Sequence, residues 1–157
     1  MRTLVLGLGN PILRDDGVGI RVAERLRPLL ADRPDVTVDE DFWGGLRLME
    51  RMIGYDRAIV IDAVAPGGEP GRIRFLRPDS IPTQRSSSAH DVNLPTALEL
   101  GRVAGAHLPP TEEIFLVGIE AADVLTFGET FTPEVEAAVP RATEAVLTIL
   151  DEKRERT

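Results

Sequence analysis

A chain of 157 residues is enough for one domain, and at that size folding removes about 70% of the unfolded chain's surface from water. Its 26 acidic against 18 basic side chains give a net charge of −8, which argues against general affinity for nucleic acid or anionic membrane surfaces. With no cysteine, the sequence excludes disulfides, a cysteine nucleophile, cysteine-ligated zinc and iron–sulfur clusters, so any metal must be held by Asp, Glu or one of two histidines. No apolar run approaches the ~20 residues that span a bilayer. Met1-Arg2-Thr3-Leu4 leads into a strand-like segment without a signal-peptide pattern, so a soluble, cytoplasmic protein is expected.

Short β-like runs alternate with helical stripes, the pattern of a three-layer α/β domain, here read as a single domain over 1–157. The first strand is predicted over 3–7. The loop from Leu8 to Gly17 leads from it into a helix with Val18, Val22, Leu26, Leu29 and Leu30 on its apolar face. A second strand over 35–41 is followed by a short helix marked by Leu46, Met49, Met52 and Ile53. The third strand, 56–63, carries the β-branched run Ile59-Val60-Ile61, which predicts burial on both faces. The stretch from Ala65 to Gly71 is too short for a parallel crossover, so a fourth strand over 72–76 is expected to run antiparallel to the third. Asn93 is a predicted helix cap with Pro95 in the first turn, and a fifth strand spans 114–120. Thr132-Pro133-Glu134 begins a last helix striped by Val135, Val139, Ala142, Val146 and Leu150, with a kink expected at Pro140.

In an open sheet, ligands bind above the carboxyl ends of the strands at a topological switch point, here the crevice between strands one and three. Asn10–Asp16 and Asp62 sit at that rim, and the segment from Pro78 to Val92 must climb back to it, bringing His90 along. Each residue also has a plainer reading. Asp15 or Asp16 can cap the first helix, Asp62 can satisfy a neighbouring loop, and His90 can be an exposed loop residue. Together, two carboxylates and one imidazole make an O,O,N set that suits zinc, nickel, iron or manganese and leaves positions open for water or substrate. The other candidates are weaker. Gly7-Leu8-Gly9 fails the dinucleotide fingerprint because Ile stands at position 12 and Pro11 stiffens the turn. Ser86, Ser87 and Ser88 lack a nucleophile elbow and read as a hydroxyl-rich loop. His107 reads as a helix C-terminal cation or a loop residue, Arg14 and Arg85 flank the proposed site, and Trp43 is expected exposed on the same rim.

Leu6-Gly7-Leu8-Gly9-Asn10-Pro11, Asp15-Asp16-Gly17-Val18-Gly19, Val60-Ile61-Asp62-Ala63, Pro70-Gly71, Ser88-Ala89-His90 and Val117-Gly118-Ile119-Glu120 resemble, in order and spacing, the maturation endopeptidases of [NiFe] hydrogenases. The resemblance runs from about Thr3 to Leu150. It implies a phosphorylase/hydrolase-like three-layer αβα fold with a five-stranded mixed sheet of order 2-1-3-5-4 and strand four antiparallel. It implies removal of the C-terminal extension of a [NiFe] hydrogenase large-subunit precursor after nickel insertion. The family's metal-contacting and catalytic positions correspond here to Asp16, Asp62 and His90, and the nickel travels with the substrate, so no permanently bound cofactor is expected. The implied partner is the large-subunit precursor, with no nucleic acid and no membrane. Asp41-Phe42-Trp43-Gly44-Gly45 departs from the Asp-Gly-Gly-Thr-like stretch that many members carry after strand two. Peptidyl-tRNA hydrolases share the opening Gly-Leu-Gly-Asn-Pro, but their Gly-x-x-Tyr-x-x-Thr-Arg-His-Asn pattern is absent and the acidic charge opposes RNA binding. A further alternative is a nickel-dependent binding or chaperone module that holds the precursor without cutting it.

Overall fold

Successive side chains of a strand point to opposite faces, so near-continuous apolar runs in the central strands give the sheet two faces to bury, and the helical stripes supply the cover. The computed structural model describes residues 1–80 and 92–155. In chain order these form β1 (Thr3–Leu8), α1 (Val18–Leu29), β2 (Val36–Asp41), α2 (Gly45–Met52), β3 (Arg57–Val64), β4 (Ile73–Leu76), α3 (Leu94–Val103), β5 (Ile114–Glu120) and α4 (Pro133–Glu155). The sheet order is β2-β1-β3-β5-β4, parallel except for the β4–β5 pair. This is the order and the antiparallel strand that the family resemblance implies.

One face packs Val5, Ile59, Ile61, Val117 and Ile119 under α1 and α4, and the other packs Leu4, Leu6, Val60, Ile114 and Leu116 under α2 and α3. Ile59, Val60 and Ile61 are all fully buried, as a strand covered on both faces requires. The α4 stripe, Val135, Val139, Ala142, Val146 and Leu150, is buried throughout. Each large side chain in it contributes roughly 1.5–3 kcal/mol. Pro140 lies inside α4 without ending it, at an exposed position. Asn93 caps α3 by accepting a hydrogen bond from the Thr96 N–H at 2.9 Å.

Two expectations are corrected. Leu29 is 59% exposed, because the buried face of α1 follows Val18, Val22, Leu26 and then Leu30, leaving Leu29 off that row. In α2 the buried residues are Leu48, Met49 and Met52; Leu46 sits in the exposed first turn, and Ile53 lies past the helix end on extended backbone. As expected, β4 runs opposite to β3, and it pairs with β5, the neighbour that the 2-1-3-5-4 order gives it.

Because β5 is parallel to β1 and β3, α4 starts at the carboxyl ends of the strands and returns toward their amino ends. There Asp151 lies close enough to Arg33, just before β2, to act on its charge, and the Met1 sulfur accepts from the Arg57 guanidinium at the start of β3.

Candidate active site

The carboxyl ends of β1 and β3 are adjacent, with Gly7 in register with Ile61, so whatever follows β1 meets the last residues of β3. Asp16 comes from a single 3-10 turn, Arg14–Gly17, that joins β1 to α1. That turn lies directly on the strand end. A Cβ on Gly9 would come within 2.3 Å of the Asp16 carbonyl, and one on Gly19 within 2.3 Å of the Ile61 carbonyl. Glycine at these two positions therefore brings the Asp16 backbone and the start of α1 against β1 and β3. Asp16 Oδ2 accepts the Asn10 N–H at 3.0 Å, and the Asn10 side chain accepts the Ile12 N–H at 3.2 Å, closing the loop on itself.

Asp62 lies within β3, two residues before its end, opposite Gly118 of β5. It is half-buried, and its Oδ1 accepts the Ala63 N–H at 2.8 Å. Asp16 and Asp62 line one cavity of about 270 Å³, together with Leu13, Phe42, Leu116 and Leu125. The two predicted carboxylates are thus brought together over the switch point, in a setting walled mostly by apolar side chains. Neither Asp15 nor Asp16 caps α1, whose N-terminus has no side-chain cap. The third predicted residue, His90, lies outside the described residues, as do Arg85, Ser86, Ser87 and Ser88. Among the described residues, no group of three or more His, Asp or Glu is placed to hold a metal ion.

Several features of the cavity were missed in the sequence. Asp15 is fully buried and accepts four hydrogen bonds from the loop between β5 and α4. That loop supplies Val124 and Leu125 to the cavity wall. No local pattern separates Asp15 from Asp16, since both are carboxylates at a helix start.

On the rim, Trp43 is 50% exposed and stands edge-on to Phe42 with ring centroids 5.1 Å apart. Beside them, Asp41 accepts the Phe42 N–H and ion-pairs with Arg47 and Arg51. Partial burial pushes the Asp41 carboxyl up, but the Phe42 N–H and the two guanidinium groups outweigh it and hold the group below its ordinary range. Asp123, in the facing loop, is held well below its ordinary range by Thr126, through side chain and backbone, then by the Leu125 N–H and by Arg14. Arg14 flanks the site as expected, committed to Asp123 at 3.3 Å. Asp41 and Asp123 on this rim are each paired with arginine.

His107 plays no part here. Its Nε2 lies 2.9 Å from Asp56, which precedes β3, about 20 Å of strand away from Asp62. It is a loop residue that ties the α3–β5 connection to the start of β3, close to the second of its two plainer readings.

A profile of the hydrogenase maturation protease family, HycI, matches residues 20–149. The chain belongs to the hydrogenase maturation proteases. Among similar proteins, the Hydrogenase 2 maturation protease of Escherichia coli K12 is 32% identical over 157 residues, covering 97% of this chain and 92% of that one. The hydrogenase expression/formation protein HupD of Rhizobium leguminosarum is 30% identical over 95% of this chain and 74% of its own length. The solved structure of the hydrogenase maturating endopeptidase HybD from E. coli superposes with a TM-score of 0.73 at 31% identity, covering 98% of this chain and 94% of that one. Membership makes this chain a peptidase by class, and the shared fold confirms the 2-1-3-5-4 sheet of a hydrogenase maturation protease. No helix among its described residues is long and apolar enough to cross a membrane.

Proposed function

We propose that this protease removes the C-terminal extension of a [NiFe] hydrogenase large-subunit precursor after nickel insertion, and that it recognises the nickel the substrate carries. The observation that supports this reading is the convergence of Asp16 and Asp62 on one cavity at the switch point, within a hydrogenase maturation protease. The two carboxylates, joined by His90, would form an O,O,N donor set of the kind that suits nickel, with positions left over for ligands belonging to the substrate. Such a set, without thiolate, binds a free ion weakly and a substrate-held ion well, because the precursor supplies the remaining ligands. The nickel carried by the substrate would register the scissile peptide against the cavity and polarise its carbonyl or activate a water, with Asp16, Asp62 and His90 as its proposed contacts and a carboxylate assisting proton transfer.

Incubating the protein with nickel-loaded and nickel-free precursor tests this reading. Release of the C-terminal peptide from the loaded precursor alone is expected. Equal cleavage of both forms refutes nickel recognition, and binding of the loaded precursor without cleavage favours the chaperone alternative.

The exposed Phe42–Trp43 pair supplies an apolar edge to the same cavity, since Phe42 lines it directly. Trp43→Ala is expected to weaken precursor affinity by about tenfold, as loss of an aromatic anchor does at interfaces. It should change folding stability by less than about 0.5 kcal/mol. Titration of precursor binding beside thermal unfolding checks both; unchanged affinity with a destabilised fold would assign Trp43 to the core instead.

A further inference from the structure

Adjacent carboxylates at positions 15 and 16 have opposite fates. Asp16 faces the cavity, whereas Asp15 is fully buried one residue away. Asp15 Oδ2 accepts the Ala122 N–H at 2.9 Å, the Asp123 N–H at 3.0 Å and the Thr132 hydroxyl at 2.8 Å, while Oδ1 accepts the Thr132 N–H at 2.8 Å. All four donors come from the β5–α4 loop, and none from the helix that Asp15 precedes. The stitching is reciprocal: the Asp15 N–H donates to the Asp123 carbonyl, the Arg14 N–H to the Gly128 carbonyl, and the Gly128 N–H to the Ile12 carbonyl.

Between these anchors Arg14 sits at φ +42°, a left-handed conformation that disfavours a bulky side chain. Its guanidinium reaches the Asp123 carboxylate and the Thr130 carbonyl, so the same loop holds the strained residue in place. A turn left to its own preferences would relax at Arg14 and rotate the residues that follow. A buried carboxylate with every donor supplied by one distant loop prevents that rotation.

We propose that Asp15 is a positioning residue: by locking the β1–α1 turn to the β5–α4 loop, it aims Asp16 into the cavity whose wall the same loop forms with Val124 and Leu125. This rests on reading Asp16 as a substrate-facing carboxylate. The consequence is that two walls of the cavity move as one unit, with Asp15 as the joint.

Asp15→Asn keeps the side chain's shape but replaces one acceptor oxygen with an amide nitrogen that faces donors. Thr132→Val removes the hydroxyl donor alone, and Thr132→Ser restores it. Two measurements report the outcome. Because the Asn10 N–H donates to Asp16 Oδ2, its hydrogen exchange reads the Asp16 position without any substrate. In Asp15→Asn this exchange is expected to rise at least about tenfold beyond any rise at Val5 in β1, which reports the loss of global stability; tenfold is the scale of one lost hydrogen bond to a charged group. In steady-state cleavage of nickel-loaded precursor, kcat is expected to fall by about a hundredfold with KM nearly unchanged, the mark of a misplaced reacting group. Thr132→Val should shift both readouts in the same direction by less, and Thr132→Ser should return them to parental values.

Unchanged Asn10 protection in Asp15→Asn, or a kcat loss without it, overturns the inference. If Asp15→Asn fails to fold, Thr132→Val decides by the same criteria. A parent that does not cleave the precursor, with Asn10 protection still lost in the variants, refutes the proposed precursor processing and leaves the positioning role of Asp15 standing.

Discussion

Asp62→Asn is expected to leave the melting temperature equal to or slightly above the parent's while reducing cleavage of nickel-loaded precursor to background. The carboxylate shares its cavity with Asp16, so a neutral side chain at 62 removes like-charge repulsion from the substrate-free protein. The hydrogen bond from the Ala63 N–H needs only an oxygen acceptor, which the Asn amide retains. What Asn lacks is the negative charge that binds a cation, and carboxylate oxygen is the better partner for a divalent ion. Thermal unfolding beside precursor cleavage checks both halves. A large loss of stability, or normal cleavage, would show that Asp62 is a structural carboxylate and that the working site lies elsewhere. The same pair of readouts applied to His90→Ala tests the third predicted ligand.

Asp15→Ala is expected to do the opposite to stability. Four donors aimed at one fully buried carboxylate would lose their acceptor, in a place water cannot readily fill. The cost is about 3 kcal/mol or more, since hydrogen bonds to charged groups contribute ~1.5–3 kcal/mol each and do not add fully. For a chain of this size that lowers the melting temperature by roughly 6–12 °C. Calorimetry on parent, Asp15→Ala and Asp62→Asn in one buffer makes the comparison. Equal melting temperatures for the parent and Asp15→Ala would mean that the β5–α4 loop holds its position without this carboxylate.

The contrast between these carboxylates marks how far local reading of the chain reaches. β3 was legible because three consecutive β-branched residues bury on two faces, and α4 because its stripe keeps helical spacing along the chain. The Asn93 cap and the reversed direction of β4 followed from local chemistry and from the length of one connection. The β5–β4 pairing was not legible from that connection, because a short loop sets a strand's direction and not which strand later inserts beside it. The family pattern alone carried the full strand order. At the site, Asp62 was conspicuous as a charge in an apolar strand, whereas the division of labour between Asp15 and Asp16 depends on a loop more than a hundred residues away. Leu46 and Ile53 misled for a related reason: apolar spacing identifies a helix but not the turn at which its covered face begins and ends.

The return path of α4 has a practical consequence for handling the molecule. Met1 and the last turn of α4 both lie at the amino ends of the strands, while the cavity opens above their carboxyl ends, about 20 Å of β1 away. An affinity handle, a fluorescent fusion or a tether to a sensor chip attached beside Met1 or the last turn of α4 would hang from the pole opposite the crevice. A precursor that docks as proposed would not meet the attached group at the crevice, so protein immobilised in this way suits binding measurements.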